Sequence, residues 1–91
     1  MTPMESIVNS YRAKSGLRFD KQVAESLDMT PAALSNYIKG KTRLPHMAIA
    51  KIAETAHIDA IEIMAAVNLT YEKTPDEEKR YWQERYKTLM M

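Results

Sequence analysis

The 91-residue sequence predicts an all-α fold, on three observations. Thr-Pro pairs at Thr2-Pro3, Thr30-Pro31 and Thr74-Pro75 each join an N-cap hydroxyl to a proline whose missing N–H costs nothing in a first helical turn. Apolar residues recur at helical spacing through most of the chain. No alternating run of comparable length suggests a strand, and the unequal gaps between the Thr-Pro pairs argue against an internal repeat.

The first helix is expected from Thr2 to about Lys14, with Glu5 completing a capping box, Ile7, Val8 and Tyr11 on the inner face, and Ser15-Gly16 as the stop. Asp20 is a candidate cap for a second helix whose Val23, Ala24 and Leu27 point inward while Lys21, Gln22 and Glu25 face out. Thr30 starts a third helix that ends at Lys39-Gly40, with Leu34, Tyr37 and Ile38 as its apolar side. Asp20 to Lys41 therefore reads as two short helices and a tight turn, a helix-turn-helix candidate. After the loop from Lys41 to Pro45, Ile49, Ile52, Ala53 and Ala56 mark a fourth helix. Asp59 with Glu62 suggests a capping box on a fifth, whose core side is Ile63, Met64 and Val67 and which fades near Leu69. A polar connector leads to Thr74 and a last helix running almost to Met91. The expected division is a domain over residues 1–70 and an amphipathic C-terminal helix over 71–91.

An apolar fraction of 45% supports a folded chain with a single core. With no cysteine, disulfides and thiolate metal sites are excluded, and no cofactor or metal is expected. The longest apolar run, Ile63 to Val67, is far too short for a bilayer, and MTPMES does not read as a signal segment, so a cytoplasmic protein without membrane association is expected. Net charge is only +1, but residues 1–45 hold seven Lys/Arg against four Asp/Glu, residues 46–73 two against four, and residues 74–91 four against four. The positive excess thus falls where the helix-turn-helix candidate lies, as docking on phosphates requires.

From roughly Glu5 to Leu69 the chain resembles the phage repressor and Cro family of helix-turn-helix proteins, the XRE family. The resemblance rests on Ala24 at the close helix crossing, Thr30 capping the recognition helix, Leu34 and Tyr37 as its anchors, GKTRLP after it, and IAKIAETAHIDAIEIM as fourth and fifth helices. More loosely, the whole chain looks like small regulators of filamentous phages and prophages. The resemblance implies a five-helix, lambda repressor-like DNA-binding domain, here with an additional C-terminal helix. Two positions depart from the pattern. Asp20 stands where the family commonly has a phosphate-bonding Gln, leaving that contact to Lys21, Gln22 or backbone N–H groups. Asp28 occupies a turn position where the family often has Gly, which requires tolerance of a left-handed backbone.

On a helical wheel with Leu34 at zero, Tyr37 and Ile38 fall within about 60°, whereas Ser35, Lys39, Ala32 and Asn36 fall near about 100°, 140°, 160° and 200°. These four, with Pro31 at the helix tip, are the candidate base-contacting residues. Asn pairs bidentately with adenine, Lys donates to guanine, and Ala touches a thymine methyl. Lys41 and Arg43 behind the helix, with Lys21, Gln22 and His46, are the candidate phosphate contacts. On a surface helix with no ligand the same residues would simply be solvated.

Trp82, Tyr86, Leu89 and Met90 form an apolar stripe with Tyr81 and Arg85 beside it, which either packs back on the domain or forms a homodimer interface. No catalytic motif is present, and the two histidines, His46 and His57, have no ligand partners in the pattern, so no enzyme is expected. No small-molecule ligand is evident. The expected function is a sequence-specific, dimeric regulator of double-stranded DNA, a repressor occupying an operator. The alternative is an antitoxin-like or anti-repressor module that uses the same fold to bind protein.

Overall fold

The computed structural model describes residues 1–90, with the side chain of Met90 outside the described part. Within it the chain forms six helices and no strands: α1 (Pro3–Ser15), α2 (Asp20–Ser26), α3 (Pro31–Lys39), α4 (His46–Ala56), α5 (Ala60–Thr70) and α6 (Asp76–Met90). They pack into a body of 35 × 26 × 22 Å.

Local chemistry sets most of the boundaries. The hydroxyl oxygens of Thr2 and Thr30 accept the N–H groups of Glu5 and Ala33, each at 3.1 Å. Gly16 and Gly40 end α1 and α3 at φ of 69° and 81°, conformations in which a Cβ would be strained. Asp28 at φ 56° supplies the left-handed residue of the α2–α3 turn, and His57 at φ 55° ends α4.

Four expected caps differ. Phe19, not Asp20, is the N-cap residue of α2, because Gln22 reaches back and its Oε1 accepts the N–H groups of Arg18 (2.9 Å) and Phe19 (3.0 Å). Asp20 is instead drawn to the guanidinium of Arg12 on α1. At α1 only the Thr2 half of the expected box forms: the Thr2 hydroxyl accepts the Glu5 N–H and donates its own proton to the Ile38 carbonyl at 3.1 Å, while no bond joins the Glu5 carboxylate to the Thr2 N–H. Asp59 accepts the N–H of Ile61 at 2.7 Å without a reciprocal bond from Glu62. The Thr74 hydroxyl is buried with no hydrogen-bond partner among the described residues, and α6 begins at Asp76, one residue later than the Thr-Pro pattern suggests.

The core draws on every helix from α1 to α5: Met4, Ile7, Val8 and Tyr11, then Val23, Ala24 and Leu27, then Leu34, Ile49 and Ile52, and Ile63 with Val67. Leu34 is the sole wholly buried residue of α3, so it anchors that helix; burial of such a side chain is worth roughly 1.5–3 kcal/mol. Tyr37 and Ile38 flank it, partly covered, and Ala24 is fully enclosed where α2 meets its neighbours. Ala48, Ala65 and Ala66 are buried as well, while Ala53 and Met64 are only half-covered.

Hydrogen bonds pin the end of α2 from two sides. The Ser26 hydroxyl donates to the Val23 carbonyl at 2.7 Å, so the 2.9 Å bond to Tyr11 must be donated by the phenol. The Lys51 ammonium donates to the Ser26 carbonyl, where a cation also suits the helix dipole. α6 packs along α5, and its Tyr86 reaches the core.

Candidate nucleic-acid interface

α3 is held by Leu34 beneath and by a cap at each end, and its other side faces solvent. Pro31, Ala32, Asn36 and Lys39 are all exposed there. Three of the four first-turn positions at its tip offer no free donor. Pro31 has no N–H, Ala33 donates to the Thr30 hydroxyl, and Leu34 donates to the Thr30 carbonyl at 3.0 Å. The N–H of Ala32 is the one left for a ligand.

Ser35 stands apart from this strip. It is half-covered and lines a cleft with Glu5, Asn9, Arg12 and Asp20, between α1 and the start of α2. The structure therefore brings together Ala32, Asn36 and Lys39, and turns Ser35 toward a mixed-charge recess.

Directly after α3 the chain turns at Gly40, with the Lys41 N–H donating to the Asn36 carbonyl at 2.9 Å. Lys41 and Arg43 are exposed, and Leu44 is buried, which staples the basic loop to the core. The Arg43 guanidinium lies over the Tyr71 ring, 4.7 Å from its centroid. His46 opens α4 beside Arg43, and the two rim one cleft together with Asn68. Pro45 precedes α4 as its N-cap residue and offers no side-chain acceptor, so the positive end of this helix dipole adds to the same neighbourhood.

At the start of α2, Lys21 is exposed and makes no ion pair among the described residues. Gln22 is exposed too, but its carbonyl oxygen is committed to capping, leaving only its amide N–H groups for an anion. The carboxylate of Asp20 is matched by Arg12, which offsets its repulsion toward phosphate.

The α6 stripe divides. Trp82 and Tyr86 are half-buried, whereas Tyr81 is 52% and Leu89 37% exposed. Tyr81 meets Trp82 edge-on at 5.1 Å and carries the Arg85 guanidinium over its ring at 5.1 Å. Met90, also expected in the stripe, has its side chain outside the described residues. Burial and then the nearby Glu62 carboxylate push the Tyr86 phenol above its ordinary pKa.

Two features had no sequence signal. The Arg43–Tyr71 stack joins two loops distant in the chain, and Arg12–Asp20 joins two helices. Among the described residues no helix is long and apolar enough to cross a membrane, and no group of three or more acidic or imidazole side chains could hold a metal ion. Compared with known protein families, curated proteins and solved structures, the chain shows no match.

Proposed function

We propose that this chain is a lambda repressor-like regulator that binds double-stranded DNA sequence-specifically and acts as a repressor by occupying an operator rather than by catalysis. The observation that carries the reading is the α3 surface: a doubly capped helix with Asn36, Lys39 and Ala32 outward and the basic Lys41–Arg43 loop at its end. A helix so presented suits the major groove, where Asn36 would read adenine, Lys39 guanine and Ala32 a thymine methyl. Lys41, Arg43, Lys21 and His46 would supply the sequence-independent attraction to phosphates, with Gln22 contributing an amide donor. In this reading α1 to α5 form the DNA-binding domain. The exposed members of the α6 stripe and its flank, Tyr81, Arg85 and Leu89, make the homodimer contact that two half-sites require.

The test is an electrophoretic shift with the DNA flanking the chain's own gene, at two salt concentrations. Retention of specific over random duplex at moderate salt is expected, and its absence would remove the proposal. A second reading, an antitoxin-like or anti-repressor module that binds protein, is favoured by one observation. Met47 is 83% exposed at the edge of a groove of about 780 Å³ that Met29, Tyr37 and Pro45 also line. A protein partner whose binding survives Asn36→Ala and Lys39→Ala but not Met47→Ser would favour it.

A further inference from the structure

We infer that Tyr71 is a positioning residue of the nucleic-acid interface: its ring holds the Arg43 guanidinium in place for phosphate, although Tyr71 itself belongs to the connector between α5 and α6. This rests on the DNA-binding reading above and adds to it a residue outside the recognition helix and its loop.

The geometry is specific. Arg43 sits on an exposed loop, where an unrestrained arginine samples many rotamers. Its Cζ is 4.7 Å from the Tyr71 centroid, a cation–π separation. The guanidinium carries five N–H donors, and a single ring beneath its Cζ leaves donors free for a phosphate oxygen. Stacking and phosphate binding are thus compatible, and the ordering cost of the side chain is met before DNA arrives.

The ring is itself held by backbone. The Tyr71 N–H donates to the Val67 carbonyl at 2.9 Å, continuing α5 by one bond. The next residue, Glu72, donates its N–H to the Gly40 carbonyl at 2.9 Å, at the C-terminal cap of α3. Gly40 lies so close to the end of α5 that a Cβ there would stand 1.9 Å from the Thr70 carbonyl oxygen. The connector is therefore fastened to the root of the basic loop, and Tyr71 reaches Arg43 from a fixed base.

The test is a double-mutant cycle in the full chain, with Tyr71→Ala, Tyr71→Phe, Arg43→Ala and the Tyr71→Ala/Arg43→Ala pair. Each is titrated with a random-sequence duplex at one salt concentration, the fold being checked by circular dichroism. The ring-current shift of the Arg43 δ-methylene protons reports the stack without DNA. Tyr71→Ala is expected to abolish that shift and to weaken binding by about two- to tenfold, the cost of ordering one long side chain. Tyr71→Phe should keep both properties, since the ring and not the hydroxyl is used. In the Arg43→Ala background, Tyr71→Ala should cost nothing further. Equal losses in both backgrounds would mean that Tyr71 acts through packing alone and would overturn the inference, as would unchanged affinity for Tyr71→Ala. If the wild-type chain does not bind duplex DNA, the parent reading fails and this one with it; wild-type binding that ignores Tyr71 defeats only the inference.

Discussion

Gly40→Ala and Gly16→Ala form a matched pair in which one variable differs. Both glycines cap a helix with positive φ, 81° and 69°, so an alanine at either carries the left-handed strain of roughly 1–2 kcal/mol. Around Gly16 a new methyl would meet nothing within 4 Å. At Gly40 it would meet the Thr70 carbonyl oxygen at 1.9 Å and its carbon at 2.8 Å, both backbone atoms that cannot rotate aside. Relief requires the end of α5 and the connector after it to retreat by about an ångström or more, which breaks the 2.9 Å bond from the Glu72 N–H to the Gly40 carbonyl. Adding roughly 1 kcal/mol for that bond and about 1–3 for the misfit brings Gly40→Ala to about 3–6 kcal/mol. Urea titration of the two variants against wild type measures the difference directly. Equal midpoints for the two would refute the close approach of Gly40 to the end of α5, and with it the role of this contact in setting the basic loop.

Asn36→Ala should cost roughly 1–3 kcal/mol on a selected DNA site and little on random duplex, whereas Arg43→Ala should weaken both alike and lower the salt slope of binding by about one. Quantitative gel shifts over a salt series read both effects, and parallel losses for the two variants would contradict the division of roles. Tyr81→Ala with Leu89→Ala should reduce the mass seen by light scattering to that of one chain while leaving the fold intact, since both residues are exposed; an unchanged mass rejects α6 as the dimer contact. Tyr86 favours its neutral phenol in the folded state, so its stabilising contribution is fully present below the ordinary tyrosine pKa of about 10 and is lost as pH rises through the elevated native value. Tyr86→Phe should therefore lose less stability than wild type between about pH 8 and pH 11, measured by urea unfolding, and identical slopes would count against the burial of that hydroxyl.

Legibility in the sequence followed the range of the interaction. Thr2, Thr30, Gly16 and Gly40 were readable as caps because a cap is decided within one turn, and Asp28 was readable as a left-handed candidate for the same reason. Asp20 misled because two things competed for it. Gln22 could satisfy the orphan N–H groups, and Arg12 on another helix could claim the carboxylate, which periodicity cannot express. Ser35 lay near the edge of the outward sector on the helical wheel, and at such an angle the neighbouring helix decides the matter. The alanines of α4 and α5 were undercounted, since a small side chain carries little hydrophobic signal yet Ala65 and Ala66 are wholly enclosed. In α6 the apolar stripe was visible, but spacing gives a face and not its neighbour; α5 covers Trp82 and Tyr86 only partly and leaves Tyr81 outside.

The junction around Gly40 also joins segments far apart in the chain, the last of which is made after α4. The Thr2 hydroxyl bonds the Ile38 carbonyl, the Met4 N–H bonds the Thr70 hydroxyl at 3.1 Å, and the Glu72 N–H bonds Gly40, so the beginning of α1 and the ends of α3 and α5 close on one another. A chain that has left the ribosome only as far as α4 carries every candidate DNA-contacting residue but lacks the segment that locks them in place. Under the DNA-binding reading proposed above, products ending before Thr70 would lack the bonds that close this junction and would be poor competitors for an operator.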